Sequence, residues 1–406
     1  MKILIFMSMG FDTFGPSVHL YNALIEDLLK NGHIVHIIEM HSSGMDADAP
    51  CNLEKHSGFS YETIKSKQVN KHAFVRRYLT GLAYCIKAIP ALISNTGYDI
   101  LFVQSCPWAP IAISFARIFN RAYVIWNIQD MFPGASIANG VVKNKILAWC
   151  MFVFHKIAYR FAQHITVISE DMKQKVFEQG VNEEKITMIP DWFDSESVKE
   201  IKRQDNLFIK KYNMDEKKFY VQYAGTMGYN FDYKYVIEVA SILKDNKDIV
   251  FQMIGNGSQK DSFVKEAQKR NLDNIVFLPL EPQSMVSHVY SACSICIIPL
   301  PFGVIGNSVP SKAGLLMRCR RPIVTSADLD SHYCETLKEN RLGIPCSCFN
   351  PQKMAEAIIL LKNSPSLREE LSNNAQKYAL MYYDRKANTK KYESLFQSKL
   401  NVTRKK

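Results

Sequence analysis

The sequence predicts an α/β protein of two like-built halves, each a parallel sheet with helices on both faces. Three observations carry this. β-branched strands alternate with amphipathic helices almost throughout, the pattern of a sheet covered twice. The pattern restarts after the polar linker DWFDSESVKEIKRQDN, with a Gly-containing loop after the first strand of each half. A chain of 406 residues is also too long for one core.

In the first half, KILIF is a buried strand, followed by a loop and a helix over 17–31. Tyr21, Leu24, Ile25 and Leu28 line one face of that helix, and Gly32 ends it. Strand IVHIIE follows. The polar stretch 41–67 has no clear period and reads as loop. A helical segment over 72–94 has its stripe at Val75, Leu79, Leu82, Ile86 and Ile93. Strands DILFVQS and YVIWNI bracket a helix over 109–120, and a long helix covers 145–162. Strand HITVIS, a helix ended by Gly180 and strand KITMIP close this half. In the second half, FYVQYAG, IVFQMIG, IVFLPL, ICIIPL and IVTS are strands separated by helices, and amphipathic helices cover 367–397.

Composition bounds the function. The chain is 47% hydrophobic and 22% charged, which is globular rather than disordered. A net charge of +11 implies an anionic partner: nucleic acid, an anionic membrane face or a phosphorylated substrate. No nucleic-acid module or concentrated basic stripe is present. The ten cysteines are scattered, and the CxxC spacing of Cys293 and Cys296 finds no second ligand pair. They read as buried free thiols of a reducing cytoplasm. MKILIFMSMG lacks a signal peptide's apolar segment, and the longest apolar run, ILAWCMFVF, is about half a bilayer span.

Ligands of open α/β sheets bind beyond the carboxyl ends of the strands, so the loops there hold the candidates. After ICIIPL comes GNSVPSKAGLLMRCRRPIV, in which a helix is expected to open near Pro310. Lys312 would then sit in a first turn, where a cation is unfavourable unless it serves something. With Asn307, Ser308, Ser311 and free backbone N–H groups it would suit a diphosphate, though an exposed lysine at an ordinary helix start fits too. YAGTMG places Gly225, Thr226 and Gly228 between a strand and a helix, the form of a phosphate cradle. SMGFDTFGPSV with Gly15 and IGNGS with Gly257 are ligand loops or plain turns. Gln129 and Asp130 lie just past a strand end; Asp130 either serves chemistry or caps the next turn. Arg76 and Arg77 lie mostly off their helix's apolar stripe. Lys145, Lys156 and Arg160 decorate the helix containing Trp149, Phe152 and Phe154. Either these are solvated faces over buried aromatics, or they meet a membrane surface.

The order GFDTFG, WNIQDMFP, ITVISEDM, ITMIPDWFD, YAGTMG, IGNGS, VPSK and RRPIV resembles retaining family-4 glycosyltransferases of the GT-B fold, of the bacterial type that builds capsule, exopolysaccharide or O-antigen. The resemblance implies two Rossmann-like domains facing an interdomain cleft: an acceptor domain over 1–198 and a donor domain over 199–380. A C-terminal helix over 381–406 would cross back to the first. Gly225, Thr226 and Gly228 match the diphosphate loop, Ser311 and Lys312 the PSK segment, Gly15 the N-terminal loop and Asp130 the acid near the reacting sugar. Gln129 stands where the family carries His. The family's two glutamates beside PSK read here as Asn307 and Leu315, and its basic pair after the glycine loop is out of register, with Lys234 slightly late.

The function so implied is transfer of a hexose or N-acetylhexosamine, with retention, from a nucleoside-diphosphate sugar (UDP-linked by expectation) to a lipid-linked saccharide. The enzyme would work at the inner face of the cell membrane, which Arg76, Arg77 and Lys145 would meet. No metal or other cofactor is expected, since no aspartate cluster matches a divalent site. The missing glutamates keep a second reading open: a non-catalytic GT-B subunit that binds a partner transferase or glycan.

Overall fold

The computed structural model describes residues 1–11, 17–42, 51–66, 74–138, 142 and 144–404. Its strands in chain order are β1 (Lys2–Met7), β2 (Ile34–Ser42), β3 (Phe59–Ser66), β4 (Ile100–Gln104), β5 (Tyr123–Ile128), β6 (His164–Val167), β7 (Ile186–Met188), β8 (Phe219–Ala224), β9 (Ile249–Ile254), β10 (Ile275–Leu278), β11 (Ile295–Pro299), β12 (Ile323–Ala327) and β13 (Gly343–Ser347). They form a seven-stranded sheet, β3-β2-β1-β4-β5-β6-β7, and a six-stranded sheet, β10-β9-β8-β11-β12-β13. Every named strand pair is parallel.

The chain divides into two units. One comprises Met1–Asp191, Gly306–Ser308 and Arg385–Lys406; the other comprises Trp192–Ile305 and Val309–Asp384. The central strands β4 and β11 are buried along their whole length, as double coverage by helices requires. In each sheet the chain reverses its direction of growth once, beside β1 and β4 in the first and beside β8 and β11 in the second. Loops after such adjacent strands splay apart and leave room for a ligand.

In the first unit the terminal helix, Arg385–Arg404, packs on the first helix, Val18–Lys30. Arg385 grips Asp27 through both carboxylate oxygens (2.6 and 3.1 Å) and reaches Glu26 at 2.7 Å. Burial works against ionised Glu26, but hydrogen bonds from Arg385 and Lys30 win and hold its carboxyl at about 2. Tyr392 of this helix donates no length to the sheet yet enters its core: Asn127 of β5 donates to Tyr392 at 2.9 Å and to Thr166 at 3.0 Å, and accepts from Tyr21 at 2.6 Å.

Two sequence expectations are corrected. The stretch 41–67 is not all loop: Phe59–Ser66 is a strand on the edge of the first sheet, where Ser60, Thr63 and Lys65 face water and polar residues are tolerated. The expected helix over 72–94 is two, Phe74–Lys87 and Ile89–Ser94, because Pro90 can enter only a first turn. The helices expected over 367–397 are Pro365–Tyr382 and Arg385–Arg404, and the break between them is where the chain leaves one unit for the other.

Candidate active site

Because β8 and β11 are neighbours, the loop after each brings Gly225 and Lys312 together in the second unit. The Lys312 ammonium lies 4.5 Å from the centre of the Tyr223 ring and donates to its hydroxyl at 3.2 Å. That hydroxyl donates in turn to the carbonyl of Thr226 at 2.6 Å. Among the described residues no carboxylate pairs with the ammonium. Lys312 is half-buried, and the surrounding protein lowers its ammonium from the usual lysine range to about 8. A cation held so, with an aromatic face but no anion against it, is poised for an anionic ligand.

The glycines there are steric requirements. Gly225 has φ +147°, and a Cβ on it would lie 1.7 Å from Lys312 Nζ. A Cβ on Gly255 would lie 2.0 Å from the Gly225 carbonyl oxygen, and one on Gly257 2.4 Å from that of Met227. The loops after β8 and β9 are therefore stacked backbone on backbone. They are pinned by Met227 N–H to the Asn256 carbonyl (2.9 Å) and by Gln259 Nε2 to the Phe231 carbonyl (3.0 Å). Gly228 has room for a side chain, its nearest neighbour standing 3.6 Å from an added Cβ. Thr226 and Ser311 are exposed, and Lys234 is exposed on the first turn of the helix Tyr233–Ile242.

One expectation about this segment changes. The helix does not open near Pro310 but runs Ala313–Arg318, with Lys312 at its N-cap. Residues 310–313 form a turn instead, in which Ala313 N–H bonds the Pro310 carbonyl at 2.9 Å. Lys312 thus stands before the helix, and the grip on an anion would come from its side chain and the glycine loops rather than from that short helix. Leu315, one turn on, packs against the apolar core and offers a ligand no hydrogen-bond acceptor from its side chain.

A second cluster lies in the first unit, at the carboxyl ends of β5 and β7. Gln129 and Asp130 follow β5, and Gln129 Nε2 lies 3.5 Å from Asp191, which follows β7. Asp130 accepts a hydrogen bond from Ser308, and Asn307 holds the same loop by its carbonyl on Met131 N–H (2.9 Å). The Asn307 amide also fills the space beside Gly134, where an added Cβ would come within 2.3 Å of it. Asn307 and Ser308, read from the sequence beside Lys312, belong to this unit and not to that of Lys312.

The two carboxyls are unlike ordinary ones. Burial pushes Asp130 up to about 6, with the Ser308 hydrogen bond opposing it. Its side chain is nevertheless open to water, which moderates that rise. Burial pushes Asp191 to about 7, helped by the charge of Asp130 and opposed by Gln129. The charge of Asp130 adds to the rise at Asp191, so the two titrate as a coupled pair. Asp191 was not singled out from the sequence, although it lies past a strand end as Asp130 does. Gly15 falls outside the described residues, and Gly10 ends just before that gap. The loop entering it is tied down by Phe11 N–H to Glu39 (2.9 Å) and Ser8 N–H to Gln104 (2.8 Å). Among the described residues no three His, Cys, Asp or Glu side chains gather as a metal site needs.

Two family models match the chain one after the other: Glycosyltransferase Family 4 over residues 15–197 and Glycosyl transferases group 1 over 204–378. The chain is a glycosyltransferase of the GT-B fold. The "Probable glycosyltransferase WbjE" of Pseudomonas aeruginosa is 24% identical to it over 304 residues, 73% of this chain and 74% of that one. The "Putative colanic acid biosynthesis glycosyl transferase WcaI" of Escherichia coli is 23% identical over 264 residues, 62% of this glycosyltransferase and 63% of WcaI. Among solved structures, Anabaena HepE in complex with UDP and glucose superposes with a TM-score of 0.73 at 15% identity, over 98% of this chain and 100% of HepE. That likeness is one of fold.

Proposed function

We propose that this glycosyltransferase moves a hexose or N-acetylhexosamine from a UDP-sugar to a lipid-linked saccharide in bacterial surface-polysaccharide synthesis, with retention of configuration. The observation that carries the reading is Lys312, an ammonium set against Tyr223 and the bare Cα of Gly225, with no carboxylate paired to it among the described residues. The HepE complex supports a UDP-linked donor, and the naming of WcaI supports a polysaccharide product. The matches to Asp130 and PSK support retention by resemblance.

The chemistry follows from where charge develops. As the bond from the sugar's anomeric carbon to the phosphate oxygen breaks, negative charge grows on the leaving diphosphate. Lys312 and the amides of the Gly225 loop stabilise it there. The acceptor hydroxyl forms the new bond on the same face, and its proton passes to the departing phosphate oxygen. UDP leaves and the balance closes without another reactant. Asp130, ionised, orients a hydroxyl, and Gln129 restrains Asp191 beside it. Leu315 leaves the donor ribose without a carboxylate, so the nucleoside is held by other groups. We place the reaction at the cytoplasmic face of the membrane, which Arg76 and Lys145, both exposed, would meet. The Arg77 side chain lies outside the described residues.

A panel of nucleoside-diphosphate sugars, scored for nucleotide release with and without membrane extract of the producing cell, tests this. UDP release that requires both one donor and the extract is expected, and Lys312→Ala should lower it by roughly a hundredfold to a thousandfold. Release from no donor by the wild type would instead favour a non-catalytic subunit that binds a partner transferase or glycan.

A further inference from the structure

The basic residues form no dense stripe on any one helix, yet nearly all of the surplus falls between residues 63 and 169. Residues 63–169 hold twelve lysines and arginines and only two acids, Asp99 and Asp130, a surplus of ten within a whole-chain surplus of eleven. Within it, the helices Phe74–Lys87, Ala109–Phe119 and Lys145–Phe161 contain no acidic residue. They pack side by side, the first on the second and the second on the third. Tyr78, Trp108 and Phe154 interlock beneath them.

The third helix is not covered on its outer side. Met151, His155, Ala158 and Tyr159 face the sheet. Ile146, Trp149, Val153 and Ile157 recur at helical spacing on the opposite face, and Ile146 is 74% and Trp149 65% exposed. Phe152 is exposed as well, so the aromatics of this helix are not all core. Lys145, Lys156 and Arg160 border that ridge, all exposed. The neighbouring helix ends in exposed Ile118 and Phe119, with Arg117 and Arg121 alongside.

We propose that the Lys145–Phe161 helix is an interfacial anchor that lies flat on an anionic bilayer, its Ile146–Trp149–Val153 ridge sunk among the acyl chains and its basic border among the headgroups. The acid-free, strongly basic layer selects an anionic occupant. Two copies of the chain would repel through it. Aliphatic side chains gain nothing from nucleic-acid bases, whereas lipid accepts them along with Trp149. No helix among the described residues is long and apolar enough to cross a membrane, so the attachment is to one leaflet face. The proposal goes beyond attraction by surface charge, because it requires apolar insertion. It deepens the lipid-linked-acceptor reading but is measured without any sugar, so each can fail alone.

The test is flotation of the full chain with vesicles of phosphatidylcholine alone and of equimolar phosphatidylcholine and phosphatidylglycerol, at low and near-physiological salt. Wild type should bind the anionic vesicles and ignore the neutral ones. Lys156→Glu with Arg160→Glu should weaken partitioning by roughly fivefold or more per residue. Ile146→Ser with Trp149→Ser should keep low-salt capture yet lose roughly tenfold or more of the binding that survives salt. Both pairs are exposed, so far-UV circular dichroism and thermal unfolding should match wild type and certify the fold. Indifference of wild type to anionic vesicles at low salt would overturn the proposal and leave an acidic protein partner as the occupant. Unchanged high-salt binding by the serine pair would overturn insertion.

Discussion

An alanine methyl at Gly225 would fall 1.7 Å from the Nζ of Lys312, so the glycine is what lets the ammonium lie against the loop. A methyl at Gly255 would meet the Gly225 carbonyl oxygen at 2.0 Å, which is backbone and cannot step aside. The same substitution should therefore do different things. Gly225→Ala should displace Lys312, raise the KM for donor and cut kcat/KM by at least tenfold; at φ +147° it also strains the backbone, but the side chain it meets can move, so its melting temperature should fall less than that of Gly255→Ala. Gly255→Ala should lower the melting temperature by several degrees, about 1–3 kcal/mol for a strained backbone position. Equal effects of the two on donor kinetics and on melting would contradict this division.

The protonation of Lys312 sets a pH limit. Its surroundings lower it to about 8, so the charge is present below that pH and is lost as pH rises through it. In the free enzyme, donor binding should weaken above about pH 8. Bound diphosphate favours the charged form, so the fall should appear in kcat/KM before kcat. Lys312→Arg, which stays charged, should shift the limb upward while losing activity through misfit. A kcat/KM flat to pH 10 would show that this ammonium does not meet the donor.

Asp130 and Asp191 make an opposite demand on stability. Their folded carboxyls are raised to about 6 and about 7, above the ordinary aspartate value. Across that interval the folded state holds protons that the unfolded chain has released, so stability is greatest at low pH and declines as pH rises toward 7. Asp191→Asn should flatten the decline and raise the melting temperature at pH 8 more than at pH 5. Asp130→Asn should lower the pKa of Asp191, readable by carboxyl NMR, because it removes the neighbouring charge. An Asp191 that titrates unchanged in that variant would refute the coupling.

The Arg385 clamp has the reverse sign. Glu26 is depressed to about 2 in the folded state, so its contribution is present above the ordinary glutamate range and is lost as pH falls toward 2. Arg385→Ala would leave Asp27 without its cation and Glu26 with Lys30 alone. It should destabilise by about 2–4 kcal/mol and loosen the terminal helix, seen as faster amide exchange across 385–404. Exchange there identical to wild type would mean that the edge-on packing of Tyr392 and Phe396 against Phe102 of β4 suffices.

Much of the architecture was readable before any coordinates. Apolar runs of four to six residues with amphipathic helices between them specify parallel sheets, and the strands from KILIF to IVTS stand where that pattern puts them. The misses share a cause. Phe59–Ser66 carries polar residues because an edge strand of the sheet tolerates them, and periodicity reports burial, not hydrogen bonding. The helix start near Pro310 was misplaced because a proline suits a turn as well as a first helical turn. Trp149 is apolar by composition, and only its neighbours could decide that it faces outward.

For the site, the chain order alone determined which loops end at the sheet's carboxyl edge, and so drew attention to Gly225, Lys312 and Asp130. It also fixed the basic surplus and the apolar residue at Leu315. Strand order decided the rest. Setting β11 beside β8 joins Lys312 to Gly225 and Tyr223, and Asn307 and Ser308 are assigned to the Asp130 loop rather than to Lys312. Asp191 acquires its raised pKa only because folding removes it from water next to Asp130. Local sequence encodes propensity and pattern, which are short-range. Desolvation, charge coupling and the clearance beside a bare Cα are properties of atoms distant in sequence, and they exist only once the chain has closed on itself.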